Sequence, residues 1–212
     1  MTKLLTCYTF ANFSEKIKNK VRDRERYRDV EHDDWWEHIY EGATECAALM
    51  GITITQKSVR HPAPAIYFSG FSSQGDGASF DGLWVYAENS VADVIAHAPD
   101  DVELLRIAQG LAVIQTAALL GCGNRMHASI TTRGRYCHSG TIDVDCRYTT
   151  DNPICDDPVD DDIEKEVTQL MRDFADWIYG QLRAEHDYLT SDEHIDEYLA
   201  ENTYDEDGNE QP

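Results

Sequence analysis

The chain has 212 residues, with 40 Asp and Glu against 18 Lys and Arg, for a net charge of −22. That length suits one compact domain with a real core and leaves little room for two. So acidic a body repels nucleic-acid phosphates and is drawn to basic surfaces, which argues against direct DNA or RNA binding except through a short N-terminal segment.

The charge is distributed unevenly. Residues 150–212 hold 21 acids and 3 bases, residues 31–149 hold 15 and 7, and residues 1–30 hold 4 and 8. No apolar run reaches the ~18 residues of a membrane span, and the N-terminal stretch is too short in apolar length, and lacks the cleavage site, for a signal peptide. Six cysteines occur without a C-x-x-C pair, and Cys137, His138 and Cys146 match no closed zinc spacing. The expectation is a cytoplasmic protein with reduced thiols, no membrane contact, no metal and no cofactor.

In chain order, Leu4 to Phe10 reads as a strand or extended lead-in, and Ser14 as the cap of a first helix to about Arg28. Its outer face carries Lys16, Lys18, Lys20, Arg22, Arg24, Arg26 and Arg28. That face is either solvated, packed beside the acidic C-terminal region, or open to phosphate. A second helix, from about Asp33 to Met50, places Trp36, Tyr40, Ala43, Cys46 and Ala47 at helical spacing and stops at Gly51.

ITITQKSV then alternates as a strand, and Ala65–Ser69 and Ser79–Tyr86 have strand composition around the glycine-rich SGFSSQGDGA. Asp100 to about Leu120 forms a helix long enough to cover a sheet. His127–Thr132 and Thr141–Cys146 make a second hairpin around RGRYCHSG. Asp157-Pro158 opens the longest helix, with Pro at its first position, and Thr190 to Glu193 is a capping box for a short last helix through Leu199. The tail TYDEDGNEQP is too polar to bury and is expected to be disordered. The fold class is therefore α+β: a mostly antiparallel sheet of two hairpins covered by helices, with a long acidic C-terminal helix and a short final one. Residues 1–202 form one domain, with 203–212 as the tail.

Two constellations could carry function. Residues 156–202 hold 16 acids in 47 residues, which as helix would be one carboxylate per roughly 4 to 5 Å of axis, against a phosphate every ~3.4 Å on a DNA strand. Asp160, Asp161 and Glu164 crowd the helix start, where capping and the dipole explain acids locally. Asp173, Asp176, Glu185, Asp187, Asp192, Glu193, Asp196 and Glu197 lie further on. If these share one exposed face, they make a decoy for a basic surface; if dispersed, they speak only of solubility.

The other constellation is the pair of glycine-rich loops. There Asp76 could meet Arg133, Arg135 or His138, as an ion pair pinning two loops or as acid-base chemistry on a phosphoester. The glycines fit neither a P-loop nor a dinucleotide fingerprint, and no triad, H-E-x-x-H or paired-carboxylate signature is present. No catalytic residue is assigned.

The segments WWEHIYEGATECAALMGI, IYFSGFSSQGDGASFDG, RGRYCHSG and RDFADWIYGQLRAEHDYLTSDEHIDEYLAEN resemble a widespread family of bacteriophage and prophage proteins, some labelled antitoxins. The chain departs from that pattern at Ser72, where an aromatic is expected, and at Ser79, where a cysteine is. The resemblance transfers no catalytic residue. With the charge distribution, it implies a non-enzymatic phage inhibitor of a host restriction or CRISPR-type complex, acting as a DNA mimic on a basic host protein or nucleoprotein. An antitoxin against a basic toxin is one alternative, and a nucleotide binder or phosphoesterase at the two loops is another.

Overall fold

Alternating apolar residues write the central sheet, and two apolar helical stripes cover it. The computed structural model describes residues 8–31, 34–60, 62–122, 125–149 and 157–211. In chain order the elements are β1 (Tyr8–Thr9), α1 (Glu15–Glu25), α2 (Glu37–Leu49), β2 (Ile52–Ile54), β3 (Ile66–Ser69), β4 (Gly77–Phe80) and β5 (Gly82–Val85). They continue with α3 (Ser90–His97), α4 (Val102–Cys122), β6 (Arg125–Thr132), β7 (Ile142–Thr149) and β8 (Asp157–Pro158), then α5 (Asp161–Leu189), α6 (Asp192–Ala200), β9 (Thr203–Tyr204) and β10 (Glu210–Gln211). This is the expected α+β class, with antiparallel pairing and a long C-terminal helix. The strand expected from Leu4 lies mostly outside the described residues.

The chain divides into two compact units where the sequence predicts one domain: residues 1–37 with 182–212, and residues 38–181. The division falls within α5 and at the start of α2.

In the larger unit the five-stranded sheet runs β2-β5-β6-β7-β8, and β3-β4 forms a separate ribbon. The stretch expected as one strand from Ser79 to Tyr86 is two strands. β4 pairs with β3, and β5 pairs with β2 and β6. Asp81 makes the break: its carboxylate accepts from Thr132 N at 2.6 Å and Tyr67 Oη at 3.0 Å. Gly82 then lets the chain pass so close to β2 that a Cβ would lie 2.8 Å from Thr53 O. The core gathers Trp84, Phe80, Ile107, Met126 and Phe174, each fully buried, with Phe80 edge-on to Phe174. Trp84 donates its indole N–H to Met50 O, and the buried Gln115 accepts from Met126 N, whereas the Oγ of the buried Ser79 has no hydrogen-bond partner among the described residues.

Two element boundaries move. Asp157 and Pro158 extend the sheet beside Arg147 and Tyr148, and α5 starts later, where Asp160 Oδ1 accepts from Asp162 N at 2.9 Å. A proline suits an edge strand as well as a helix start. The cap of α6 is Ser191, one residue past the expected Thr190, accepting from His194 N. α3, between two loops, has no counterpart in the sequence reading.

The smaller unit is built around Phe10, Phe13, Val21, Ile195, Leu199 and Tyr204. Its sheet is β1-β9-β10, so residues 203–211, expected as a disordered tail, form a hairpin here. Tyr204 is 1% exposed and donates its hydroxyl to Leu199 O. Asp205 accepts from the N–H groups of Asp207 and Asn209, and Gly208 at φ +82° turns the chain. A side chain there would also collide with Val21, 2.6 Å from the position of a Cβ.

Candidate functional site

Helix starts and i,i+4 columns decide where the acidic side chains go, and much of the acid is held internally. Asp160 caps α5, and Asp161 stands exposed in its first turn. Glu164 Oε2 accepts from Cys146 N at 3.0 Å and so fixes the backbone of β7. Asp173 accepts from Arg106 at 2.5 Å and Gln169 at 2.7 Å, on the wall of an open groove of about 390 Å³ that also includes Gly110, Val113 and Leu170. Asp176 is exposed. Asp187 lies 3.9 Å from Arg183 and 3.7 Å from His186, and Glu185 is half-buried.

Within the smaller unit, α6 sorts its acids into two columns. Asp192 and Asp196, four apart, meet Arg26 at 2.8 Å and Arg22 at 2.6 and 2.7 Å. These partners are also four apart and run the other way, so α1 and α6 are zipped antiparallel. Arg28 lies 3.6 Å from the Tyr198 ring centre, His194 bonds Asp29 at 2.9 Å, and Lys20 and Arg24 donate to the carbonyls of Asp207 and Gly208. Of the options open for the basic helix, packing against the acidic C-terminal segment is the one found. The second column, Glu193, Glu197 and Glu201, is exposed.

The eleven acids therefore do not form one face. Asp160, Glu164, Asp173, Asp192 and Asp196 hold structure together, and the exposed acids among the rest are Asp161, Asp176 and Asp187 on α5 and Glu193 and Glu197 on α6.

The two glycine-rich loops do meet, but without the expected ion pair. Asp76 Oδ2 accepts from Ser72 N at 2.9 Å and Ser73 N at 2.7 Å, and those N–H groups hold its carboxyl below its ordinary value. Arg133 pairs with Asp143 at 2.6 Å. Arg135 donates to Tyr136 Oη at 3.0 Å, and the His138 ring lies 6.2 Å from that of Tyr136. The contact between the loops is steric instead: a Cβ on Gly77 would stand 2.7 Å from His138 Cβ. Phe71 stacks on Tyr179, whose hydroxyl donates to Gly70 O.

Sequence reasoning missed a cluster beside this seam. Lys57 Nζ sits 5.2 Å from the Tyr67 ring centre and 5.5 Å from that of Tyr40, and burial pulls its pKa down while Cys137 pulls it up. Only the strand alternation of ITITQKS pointed to that stretch, and a single lysine carries no pattern. Among the described residues no three His, Cys, Asp or Glu side chains are placed to hold a metal ion.

A family described as a domain of unknown function (DUF8835) matches residues 35–192. No curated protein and no solved structure matches the chain.

Proposed function

We propose that this chain, which belongs to the DUF8835 family of domains, acts without catalysis, docking exposed carboxylates of its C-terminal helices onto a basic partner. The partner we infer is a host nucleic-acid-handling or defence complex, whose phosphate-binding cleft the acids occupy as a DNA mimic. The protein is then a phage-encoded inhibitor.

The observation that carries this reading is the placement of Glu197 and Glu201. Glu193 lies in the first turn of α6, where the helix dipole favours an acid. Glu197 and Glu201 lie toward the other end, where the dipole disfavours them, each four residues from a like charge. Fold stability does not call for acids there. Residues four apart stand ~6 Å apart along a helix, close to the ~6.8 Å between alternate phosphates of one DNA strand. The support is for a short acidic ridge, with Asp161 and Asp176 on α5 as further exposed acids. The matched family stretch ends at Asp192, so the ridge lies beyond it.

The test is capture of partners from host lysate at low and high salt, with the parent and with a Glu193→Gln, Glu197→Gln, Glu201→Gln variant. The parent should hold a basic complex that salt releases and the variant should not. Equal retention by a folded variant would overturn the reading. Glu164 and Asp173 are unsuitable targets, because they support β7 and α4.

A further inference from the structure

Helix α4 is apolar on more sides than the fold covers. Between Arg106 and Arg125 the chain carries no charged residue, yet only 39% of the residues from Val102 to Leu119 are buried. The inner face, from Leu104 through Leu111 to Ala118, belongs to the core. On the outer face Gln109, Val113 and Thr116 follow one another at steps of four and three, with Val102 one heptad before Gln109, the spacing of a helix that packs on a second helix. Val102 is 78% exposed and Val113 67%. Helices apolar on all sides are covered on all sides, and an apolar patch left open on one marks an interaction surface.

Shape and charge say what covers it. Gln109 and Val113 stand on a ridge between two troughs, one of about 600 Å³ against Val91 of α3 and one of about 390 Å³ against Leu170 of α5. A ridge beside a trough is self-complementary, because a twofold axis lays each copy's ridge in the other's trough. The α3 trough is lined by Val91, Gln109, Ala112, Val113, Thr116 and Ala117, none of them charged, and Ile95, 47% exposed, lies one turn from Val91. The uncharged part of α4, from Ile107 to Cys122, is ~24 Å long, about three Debye lengths at physiological salt. Two bodies of charge −22 meet there without setting carboxylate against carboxylate. Side by side, α3 and α4 offer a face of about 24 by 20 Å, so that two copies bury ~1,000 Å² in all, the size at which a specific interface begins.

We propose that two copies of this chain pair through α3 and α4 about a twofold axis, with their α4 helices antiparallel. The axis passes between Ala112 and Val113, so each Val113 packs on the partner's Ala112 and each Gln109 meets the partner's Thr116. This register pairs the polar side chains of the seam with each other. Thr116 Oγ1 donates to Ala112 O within its own helix and so keeps its lone pairs for the Gln109 amide. The pairing uses none of the carboxylates of the acidic ridge.

Sedimentation equilibrium of the full chain tests this, at concentrations up to about 100 μM, because small interfaces bind in the micromolar range. The parent should weigh twice the chain mass of 24.1 kDa. Half-molar salt should tighten the pair, since it screens the repulsion between the acidic bodies and leaves apolar burial intact. Val113→Glu sets two carboxylates against each other beside the axis and should weaken pairing by roughly a hundredfold or more, while the exposure of Val113 spares the fold of the single copy. Oxidation of an equimolar mixture of Gln109→Cys and Thr116→Cys chains should cross-link one to the other, and neither chain should cross-link to itself through the new thiol. A parent that stays monomeric overturns the proposal, and flotation of that monomer with phosphatidylcholine vesicles would assign the face to lipid. Undiminished pairing of folded Val113→Glu overturns it as well. If that variant does not fold, the cross-linking decides: a dimeric parent without the mixed cross-link rules out the antiparallel α4 seam.

Discussion

Arg22 and Asp196, 174 residues apart in the chain, face each other through two near-parallel hydrogen bonds of 2.7 and 2.6 Å. The Arg22 side chain is 14% exposed and that of Asp196 36%, so solvent screens the pair only in part. A double-mutant cycle with Arg22→Met and Asp196→Asn, followed by urea unfolding, should give a coupling energy of about 1 kcal/mol. That lies between an exposed ion pair and a buried charge-assisted bond. Additivity of the two single changes would show that the contact contributes nothing.

The outer column of α6 should behave in the opposite sense. Glu197→Gln removes like-charge contacts with both Glu193 and Glu201 and should raise stability by about 0.3 kcal/mol at low ionic strength. The gain should shrink as salt is added. A loss of stability would mean that Glu197 has a favourable contact in the fold.

The C-terminal hairpin should be integral to the smaller unit. Tyr204→Ala removes a fully buried aromatic side chain and should cost about 3 kcal/mol, read by chemical denaturation. Truncation after Asn202 should expose Phe13 and Val21 and give a variant that binds hydrophobic dyes. A truncated chain as stable as the parent would show the hairpin to be dispensable.

The carboxyl of Asp76 should titrate below its ordinary value of 3.8, because the N–H groups of Ser73 and Ser72 stabilise its charge. With the folded value lowered, its contribution to loop order is complete above 3.8 and is lost as pH falls through the folded value. Carbon-13 NMR of the Asp76 side chain against pH, with the amide signals of Ser72 and Ser73 followed in parallel, checks both statements. A titration at or above the ordinary value would contradict them.

Several of these contacts were legible in the sequence, for local reasons. Apolar alternation located β6 and β7, and the stripe from Val167 to Leu182 located α5, because burial on one face dictates a period. The hairpin at Asp205–Asn209 also left a sign, the Asp-Gly pair that favours tight turns, but the polarity of the tail hid it. Tyr204 alone supplies the apolar anchor. α3 is a short helix with only Ser90 and Val94 buried, too little for a periodic signal. The pairing of α6 with α1 was open among alternatives, since composition reveals opposite charges but not which arginine meets which aspartate. The placement of Lys57 over the Tyr40 and Tyr67 rings left no trace, because it joins three segments by tertiary folding alone.

The zipper between α1 and α6 ties the fates of two distant segments together. Arg22 with Asp196 and Arg26 with Asp192 are matched pairs encoded 174 and 166 codons apart. A recombinant that joins α1 of one ancestor to α6 of another would set unmatched charges against each other, even if every residue between them were unchanged. The two helices should therefore be inherited as one set.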